Sequence, residues 1–343
     1  MIVKNLSAQE LVHHGDLGQR LKLQVFHEEK AAAGLMHFTN GWVHLPTWFP
    51  ITDDGITCEN LFAYYKDEKY EDVYVPIEEL CAGTYSSELE GVCAIGGDNN
   101  YWHFMMERLP QLFFLNDPDL ANRQIAHSFT KTNLEFCCHI LERLGFQNRT
   151  FVEIPMDKPY GGYSNGPQFM PIKDVVIPTK IHRNLAAMLW DKFLWPLAER
   201  PSSKGRRLFV VREDAVESYR KVLKTAGRRQ CLNQDEIGEK LKSEGFESVN
   251  PSVLSIQEQM RLFAESEFVI GVHGAALTNF LFAPQGSRVV ELANGIEQPH
   301  IGNLSKERGL DFTLVLGMPD GDAGHHADFT VDINEICQLI RDK

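Results

Sequence analysis

Small residues follow an apolar strand in the second half of the chain, and this pattern is typical of an anion-binding site. The predicted strand Glu267–Val272 leads directly into His273, Gly274, Ala275 and Ala276, where a helix begins. Small side chains let a ligand approach the backbone, and the unpaired N–H groups of a helix start favour negative charge. The pattern therefore predicts a phosphate or diphosphate site. A tight strand-to-helix turn with a packing glycine is the alternative.

Two arginines lie where they could bind the same anion. Arg212 directly follows the predicted strand Arg207–Val211, and Arg229 precedes the predicted helix Gln234–Glu244. Because strand ends and helix starts share one edge of a parallel sheet, both arginines could converge on the phosphate site beside His273. An arginine fork binds phosphate in bidentate fashion. The alternative for each is a solvated surface arginine.

Carboxylates and a histidine supply further chemistry. Glu291 closes the predicted strand Arg288–Leu292 and could accept hydrogen bonds from ribose hydroxyls, or be a charged strand end in water. His103 and Glu107 are four residues apart, so they share one helix face. A carboxylate beside an imidazole holds its tautomer and suits it to general-base work, and Asp98 at the helix start could take that role instead. The alternative is that His103 packs in the core while Glu107 is solvated.

The sequence argues against several other chemistries. There is no P-loop and no G-x-G-x-x-G fingerprint. The seven cysteines are an odd number without a C-x-x-C pair, which argues against a disulfide framework or a zinc site and fits a reducing cytoplasm. Asp320 and Asp322 precede His325 and His326, but they lie in a Gly/Asp-rich connector far from the predicted strand ends. We therefore expect no bound metal.

An alternation of strands and helices must position these residues. The first 90 residues indicate mixed strands and loops, and beyond them the alternation is typical of a parallel α/β sheet, doubly wound in the second half. The predicted strands are Val92–Ile95, Ile125–His127, Phe151–Ile154, Val175–Ile177, Arg207–Val211, Phe246–Val249, Glu267–Val272, Arg288–Leu292 and Phe312–Val315. The predicted helices are Asn99–Asn116 with a kink near Pro110, Asn133–Leu144, Leu185–Leu197, Gln234–Glu244, Ser255–Glu265, a helix from Gly274 through Phe282, and Asp332–Ile340.

Cap and turn residues sharpen these boundaries. Ser255 begins a capping box with Glu258, and Asn233 is the predicted N-cap of the helix that follows it. Three glycines and two prolines predict a loop over Tyr160–Pro171. The polar stretch Glu199–Gly205 predicts a linker, which divides the chain into domains 1–200 and 201–343.

The charge balance narrows the classes of partner. The chain has 343 residues, with 34 Lys and Arg against 47 Asp and Glu, for a net charge of −13. A polyanion would be repelled over most of such a surface, which argues against non-specific nucleic-acid binding. No secretory signal and no apolar run of membrane-spanning length is found, so we expect a cytoplasmic protein. Peripheral attachment at the inner face of the membrane, and a homo-oligomer, are left open.

Several motifs together resemble one family. The stretch 100–110, N-Y-W-H-F-M-M-E-R-L-P, resembles the N-x-x-H-W-x-x-E/D-x-L-P pattern of glycosyltransferase family 61, also called DUF563. Further matches follow in family order: F-V-V-R at 209–212, R-Q-C-L-N at 229–233, E-Q-x-x-L-F at 258–263, G-V-H-G-A-A-L-T-N at 271–279 and V-V-E-L at 289–292. Three positions depart from the family pattern: Phe104 replaces Trp, Val211 replaces Ser, and Gln234 replaces an acidic residue.

The resemblance implies a GT-B fold, in which two Rossmann-like domains face a cleft and the last helix can cross back to the first domain. It implies an inverting glycosyltransferase without a required metal or cofactor, which moves a sugar from a nucleotide-sugar donor to a glycan hydroxyl. Bacterial capsule or surface polysaccharide synthesis would be its setting. The alternatives are a non-catalytic module that binds nucleotide sugars or glycans, and another GT-B-like enzyme such as an epimerase.

The resemblance also distributes roles among the residues. The second domain would hold the donor, and the first would face the acceptor and supply the base from among His103, Glu107 and Asp98. The donor-binding residues would be Arg212, Arg229, Asn233, His273, Gly274, Ala275, Ala276, Asn279 and Glu291.

Overall fold

The fold of the chain is described from a computed structural model. In it, the apolar runs of the sequence form strands, and the amphipathic runs between them form helices. The structure describes residues 2–6, 33–44, 49–51, 88–96, 101–116, 120, 122–129, 131–143, 149–154, 169–178, 205–212, 230–295, 299–321 and 327–341. The chain divides into two compact units, Met1–Lys192 and Phe193–Lys343. Residues 199–204 of the predicted linker lie outside the described residues, so the boundary at residue 200 stays a prediction.

The first unit contains a mixed sheet. Its strands are β1 (Ile2–Leu6), β2 (Ala33–Phe38), β3 (Gly41–His44), β4 (Phe49–Ile51), β5 (Leu89–Gly96), β6 (Gln124–His127), β7 (Phe151–Glu153) and β8 (Phe169–Pro178). They follow the order β1-β2-β8-β5-β6-β7, with β3 pairing with β8 and β4. Strands β8, β5, β6 and β7 are parallel, as the alternation of strands and helices predicts. The strands from the first 90 residues, apart from β5, add antiparallel pairs.

Strand β8 corrects one prediction. It begins at Phe169, inside the stretch Tyr160–Pro171 that its glycines and prolines predict to be a loop. The extension pairs with β3, where Pro171 lies opposite Trp42. Long-range pairing therefore overrides the local turn signal at the end of that stretch.

The helical stretch after β5 changes its winding twice. It consists of an α-helical turn Tyr101–His103, a π-helix Phe104–Arg108 and a 3₁₀-helix Leu109–Asn116. The backbone N–H of Leu109 donates to the carbonyl of Phe104, five residues back. Pro110 has no N–H to continue an α-helical ladder. The predicted interruption near Pro110 is therefore confirmed, as a change of winding just before the proline. A regular helix α1 (Lys131–Arg143) follows β6.

The second unit contains a parallel five-stranded sheet in the order β10-β9-β11-β12-β13. The strands are β9 (Arg206–Val210), β10 (Phe246–Val249), β11 (Ser266–Val272), β12 (Arg288–Ala293) and β13 (Asp311–Leu316). Each overlaps its predicted strand closely. Numbered within the sheet, the order is 2-1-3-4-5, one of the common orders of doubly wound α/β folds. A hairpin of β14 (Met318–Asp320) and β15 (Asp328–Thr330) follows.

The second unit contains four α-helices and two 3₁₀-helices among its described residues. They are α2 (Gln234–Ser243), α3 (Ile256–Ala264), α4 (Pro299–Glu307) and α5 (Ile333–Arg341), with 3₁₀-helices Pro251–Val253 and Ala275–Phe282. The capping box is confirmed: the Ser255 side chain accepts from the Glu258 N–H, and the Glu258 carboxylate accepts from the Ser255 N–H. Ile336 and Ile340 of α5 pack in the core of this unit. Among the described residues, no helix has the length and apolarity needed to cross a membrane.

Candidate functional site

The centre of the second unit's sheet is where this strand order predicts a ligand. Strands β9 and β11 are neighbours, yet the chain goes from β9 to one side of the sheet and from β11 to the other. In doubly wound sheets, ligands bind outside the carboxyl ends of the strands at this reversal. Arg212 lies two residues past the end of β9, and His273 and Gly274 directly follow β11. The fold therefore brings the predicted cation and the predicted small-residue turn to one place.

Arg212 lies against the backbone that follows β11. Its guanidinium Nη1 donates to the carbonyl of His273 at 3.2 Å. A Cβ added to Gly274 would lie 3.4 Å from the guanidinium carbon. The 3₁₀-helix Ala275–Phe282 begins at the next residue, and Ala275 and Ala276 at its start are half-buried. A half-buried cation therefore lies beside a glycine and the start of a helix, as an anion site requires.

Gln234 holds the backbone of Arg212, a role that sequence reasoning missed. The amide oxygen of Gln234 accepts from the N–H of Arg212 at 2.9 Å, and its amide nitrogen donates to the Arg212 carbonyl at 3.4 Å. An amide can accept and donate at once, which an ionised carboxylate cannot do. The signal was present in the sequence, because Gln234 is a departure from the acidic residue of the family pattern.

His273 and Glu291 form a buried pair. Nδ1 of the imidazole is hydrogen-bonded to Oε1 of Glu291. Strand β12 places Glu291 opposite Gly271, and the His273 N–H continues the ladder by donating to the Leu292 carbonyl at 2.8 Å. Glu291 is 1% exposed, so the alternative of a charged strand end in water is wrong.

The two predicted asparagines serve packing in this structure. Asn279 has no exposed surface, and its amide nitrogen donates to Gln259 Oε1 at 2.9 Å and to the Ala276 carbonyl at 3.1 Å. The Asn233 side chain bonds to both the N–H and the carbonyl of Val331. Asn233 occupies the position before α2 without capping it, which corrects the predicted cap, because its amide is already paired with a distant strand end.

Of the predicted donor-binding residues, the structure thus gathers a subset at the sheet edge. Arg212, His273, Gly274 and Glu291 lie together through the contacts above. Arg229 and the alternative base Asp98 lie outside the described residues, and their roles stay predictions.

The first unit carries the second predicted pair. Nδ1 of His103 and Oε1 of Glu107 are 2.7 Å apart, with side chains 15% and 7% exposed. Glu107 belongs to the π-helix, a distortion that is frequent at functional sites. The alternative of a solvated Glu107 is therefore wrong. The geometry allows the carboxylate to orient the imidazole, as a general base requires.

The described His, Cys, Asp and Glu side chains bear on whether a metal or thiol site can form. No group of three or more His, Cys, Asp and Glu side chains that could hold a metal ion occurs there. Burial raises the pKa of the Cys93 thiol to about 12 and that of Cys231 to about 11. Both thiols are therefore protonated at neutral pH and are poor nucleophiles.

Known proteins resemble the chain over part of its length. A beta-1,2-xylosyltransferase from Oryza sativa subsp. japonica is 27% identical over 155 residues, which is 42% of this chain and 28% of that protein. An EGF domain-specific O-linked N-acetylglucosamine transferase from Drosophila melanogaster is 29% identical over 127 residues, which is 33% of this chain and 24% of that protein. The chain thus matches only about a quarter of the length of these relatives.

A solved structure shows a distant likeness. An iron-containing dodecameric glycosyltransferase from enterotoxigenic E. coli has a TM-score of 0.31 and 8% identity, over 76% of this chain and 75% of that one. The family model described as Glycosyltransferase 61 matches residues 101–290, which is more than half of the chain. The matched range includes His103, Glu107 and His273, and it ends one residue before Glu291. The chain belongs to the glycosyltransferase 61 family.

Proposed function

We propose that this chain is an inverting glycosyltransferase that transfers a sugar from a nucleotide-sugar donor to a hydroxyl of a glycan. One observation carries the proposal: the Arg212 guanidinium lies against the backbone at Gly274, at the reversal point of a parallel sheet. Family membership supports the reaction class. The names of the relatives favour donors that carry xylose or N-acetylglucosamine.

The second unit would bind the donor through its diphosphate. The chain carries a net charge of −13, so an anion must be held by local cations and dipoles. Arg212 supplies a fork of N–H donors, and the start of the helix at Ala275 supplies backbone N–H groups. As the sugar departs, negative charge grows on the leaving diphosphate, and these groups stabilise that charge in the transition state. Arg229 would add a second cation.

The first unit would supply the base. The acceptor hydroxyl gives its proton to His103 while its oxygen attacks the anomeric carbon of the sugar. The new carbon–oxygen bond forms as the bond from that carbon to the diphosphate breaks, and the nucleoside diphosphate leaves with both electrons of the broken bond. Attack from the side opposite the leaving group inverts the anomeric centre. Glu107 stabilises the imidazolium that His103 becomes, and Asp98 is the alternative base.

The finer parts of the proposal are a GT-B arrangement, a reaction without metal, and a role in surface polysaccharide synthesis. Two separate α/β units fit a GT-B enzyme. The presence of Arg212 at the proposed diphosphate site fits metal-free catalysis, since arginine can neutralise a leaving phosphate. The relatives named above are from a plant and an insect, so the polysaccharide role depends on the motif resemblance alone.

A two-step experiment tests this function. Thermal unfolding is first measured against a panel of nucleotide sugars that includes xylose and N-acetylglucosamine donors, because a ligand of the native state raises the midpoint. The stabilising donor is then incubated with glycan acceptors, with and without EDTA, and the products are identified. We expect transfer with inversion that EDTA leaves intact. Binding without turnover would indicate a binding module, an isomerised nucleotide sugar would indicate an epimerase, and loss with EDTA would refute the metal-free mechanism.

A further inference from the structure

The carboxylate of Glu291 is placed to act on its neighbour rather than on a ligand. It lies in the middle of the parallel sheet, opposite Gly271, and its side chain is 1% exposed. Oε1 bonds to Nδ1 of His273, whose own side chain is 11% exposed. A ligand at the end of β11 can therefore reach the imidazole more readily than the carboxylate behind it.

The contact with Glu291 determines the tautomer and the orientation of the His273 imidazole. A carboxylate at Nδ1 keeps a proton on that nitrogen and fixes the orientation of the ring. The ring is also anchored through its backbone, which donates to Leu292 and accepts from Arg212. No described residue pairs with Nε2. That nitrogen is therefore the one that a ligand can use.

We propose that Glu291 is a positioning residue that acts on the donor through His273, and that Nε2 of His273 hydrogen-bonds to the diphosphate. This inference depends on the proposed function. Among the described residues, the charged groups in contact with His273 are the Glu291 carboxylate at Nδ1 and the Arg212 guanidinium at the backbone carbonyl. The Glu291 carboxylate and a phosphate oxygen are both acceptors, so a ring bound between them donates from Nδ1 to the first and from Nε2 to the second.

The rival assignment is that Glu291 binds the ribose hydroxyls directly. The two assignments differ in what the carboxylate recognises. A ribose ligand loses its partner when the nucleotide lacks both hydroxyls. A residue that positions His273 has the same effect on a nucleotide with or without those hydroxyls.

The test compares the dissociation constants of UDP and 2′,3′-dideoxyuridine 5′-diphosphate by calorimetry, with GDP and its dideoxy analogue in parallel. The variants are Glu291→Gln, His273→Asn and the double variant. Asparagine keeps a donor near the Nδ1 position and removes Nε2. The control is Glu267→Gln, which changes a half-exposed carboxylate at the start of β11, the strand that His273 follows.

We expect each single variant to raise the dissociation constants of both nucleotides of a pair by about tenfold, which corresponds to the loss of one charge-assisted hydrogen bond. The double variant should be no weaker than His273→Asn alone, because both changes remove one interaction. The control should bind as the wild type does. The inference is wrong if Glu291→Gln weakens the binding of UDP and leaves the binding of its dideoxy analogue unchanged. It is also wrong if the effects of the two single variants on the dissociation constant multiply in the double variant.

Binding by the wild type distinguishes a failure of the proposed function from a failure of this inference alone. If the wild type binds neither UDP nor GDP and no nucleotide sugar of the panel stabilises it, the proposed function and this inference both fail, whereas the contrary results above overturn only the inference. ¹⁵N NMR of histidine gives a readout that needs no variant. We expect a protonated Nδ1 for His273, and an unprotonated Nδ1 would refute the positioning role. Should Glu291→Gln fail to fold, Glu291→Asp takes its place in the same comparison.

Discussion

Arg212 and His273 are joined beyond the ends of the neighbouring strands β9 and β11: the guanidinium Nη1 donates to the histidine carbonyl at 3.2 Å. The residues are 61 positions apart in sequence. The bond fixes a cation beside the strand-to-helix turn.

Replacing Arg212 tests the cation itself. Arg212→Ala should lower kcat by about 10²–10³, because one preorganised donor to developing charge contributes that much. Arg212→Lys should recover only part of the loss, since lysine keeps the charge and lacks the fork. Steady-state kinetics and the thermal midpoint are measured together. The control is Arg207→Ala on the preceding strand β9, where the guanidinium contacts Glu267 and the Phe246 ring. Near-normal turnover of Arg212→Ala would remove it from the mechanism.

Replacing His103 tests the base. His103→Gln should lower kcat by about 10²–10⁴ and leave the affinity for the donor unchanged, because general-base catalysis contributes only in the chemical step. Glu107→Gln should give a smaller loss in the same direction, since the imidazole remains. Donor affinity is measured by calorimetry and kcat by product formation. If kcat of His103→Gln equals that of the wild type, the base is Asp98, Glu107 or another group.

Gln234 tests whether the backbone of Arg212 must be held. Gln234→Leu removes both hydrogen bonds to Arg212 and should weaken nucleotide affinity by about threefold to tenfold, corresponding to about 1 kcal/mol. Gln234→Glu keeps the acceptor for the Arg212 N–H and should lose less. Calorimetry with the stabilising donor gives the affinity, and urea unfolding checks the fold. Equal affinity for the wild type and the leucine variant would contradict this positioning role.

Two glycines of the same segment should respond differently to alanine. A Cβ at Gly271 would lie 2.8 Å from Leu277 Cδ1 and 3.0 Å from Val210 Cβ, so Gly271→Ala should cost about 1–3 kcal/mol of stability through overpacking. At Gly274 the nearest atoms are 3.4 Å away, and the extended backbone accepts any residue, so the free energy of unfolding should change by less than about 0.5 kcal/mol.

The same pair of variants separates packing from binding. Gly274→Ala places a methyl group against the Arg212 guanidinium. The variant should have a lower affinity for the nucleotide-sugar donor, because the donor can no longer approach the backbone closely. Urea unfolding and donor calorimetry are measured on both variants. A Gly274→Ala protein with unchanged affinity would show that the glycine serves the turn alone.

Asp174 should make the stability of the first unit depend on pH. Hydrogen bonds from Arg123, and then from His37, lower the pKa of its carboxyl. The native state therefore favours the ionised form, and the stability this contributes is present above the unfolded pKa of about 3.9 and lost as pH falls through the lower native value. The carboxylate is nearly half exposed, so the contribution is below about 1 kcal/mol.

Asp174→Asn removes this contribution without straining the backbone, since asparagine tolerates the left-handed φ of 57° at that position. Urea unfolding of the variant and the wild type should differ at pH 7, and the difference should narrow as the pH falls below about 3.9. The exposed Asp311→Asn in the second unit is the control, with an expected change within about 0.5 kcal/mol. A difference that does not narrow below about pH 3.9 would contradict the linkage.

Local patterns predicted much of the second unit. The strands and helices there follow from apolar periodicity and cap residues, which act over a few neighbours. The capping box at Ser255 and the interruption at Pro110 are confirmed for the same reason. The failures have long-range causes: the Asn233 side chain is held by Val331, 98 positions away, and β8 extends through its pairing with β3.

By itself the sequence determined the order of elements, the strand-to-turn pattern at His273 and the spacing of His103 and Glu107, because each depends on residues close in the chain. Only the tertiary structure decided that β9 and β11 are neighbours, that Arg212 meets the backbone at Gly274, and that Glu291 is buried against His273. Strand order and burial depend on pairing between distant segments, and the same local pattern is compatible with several such pairings.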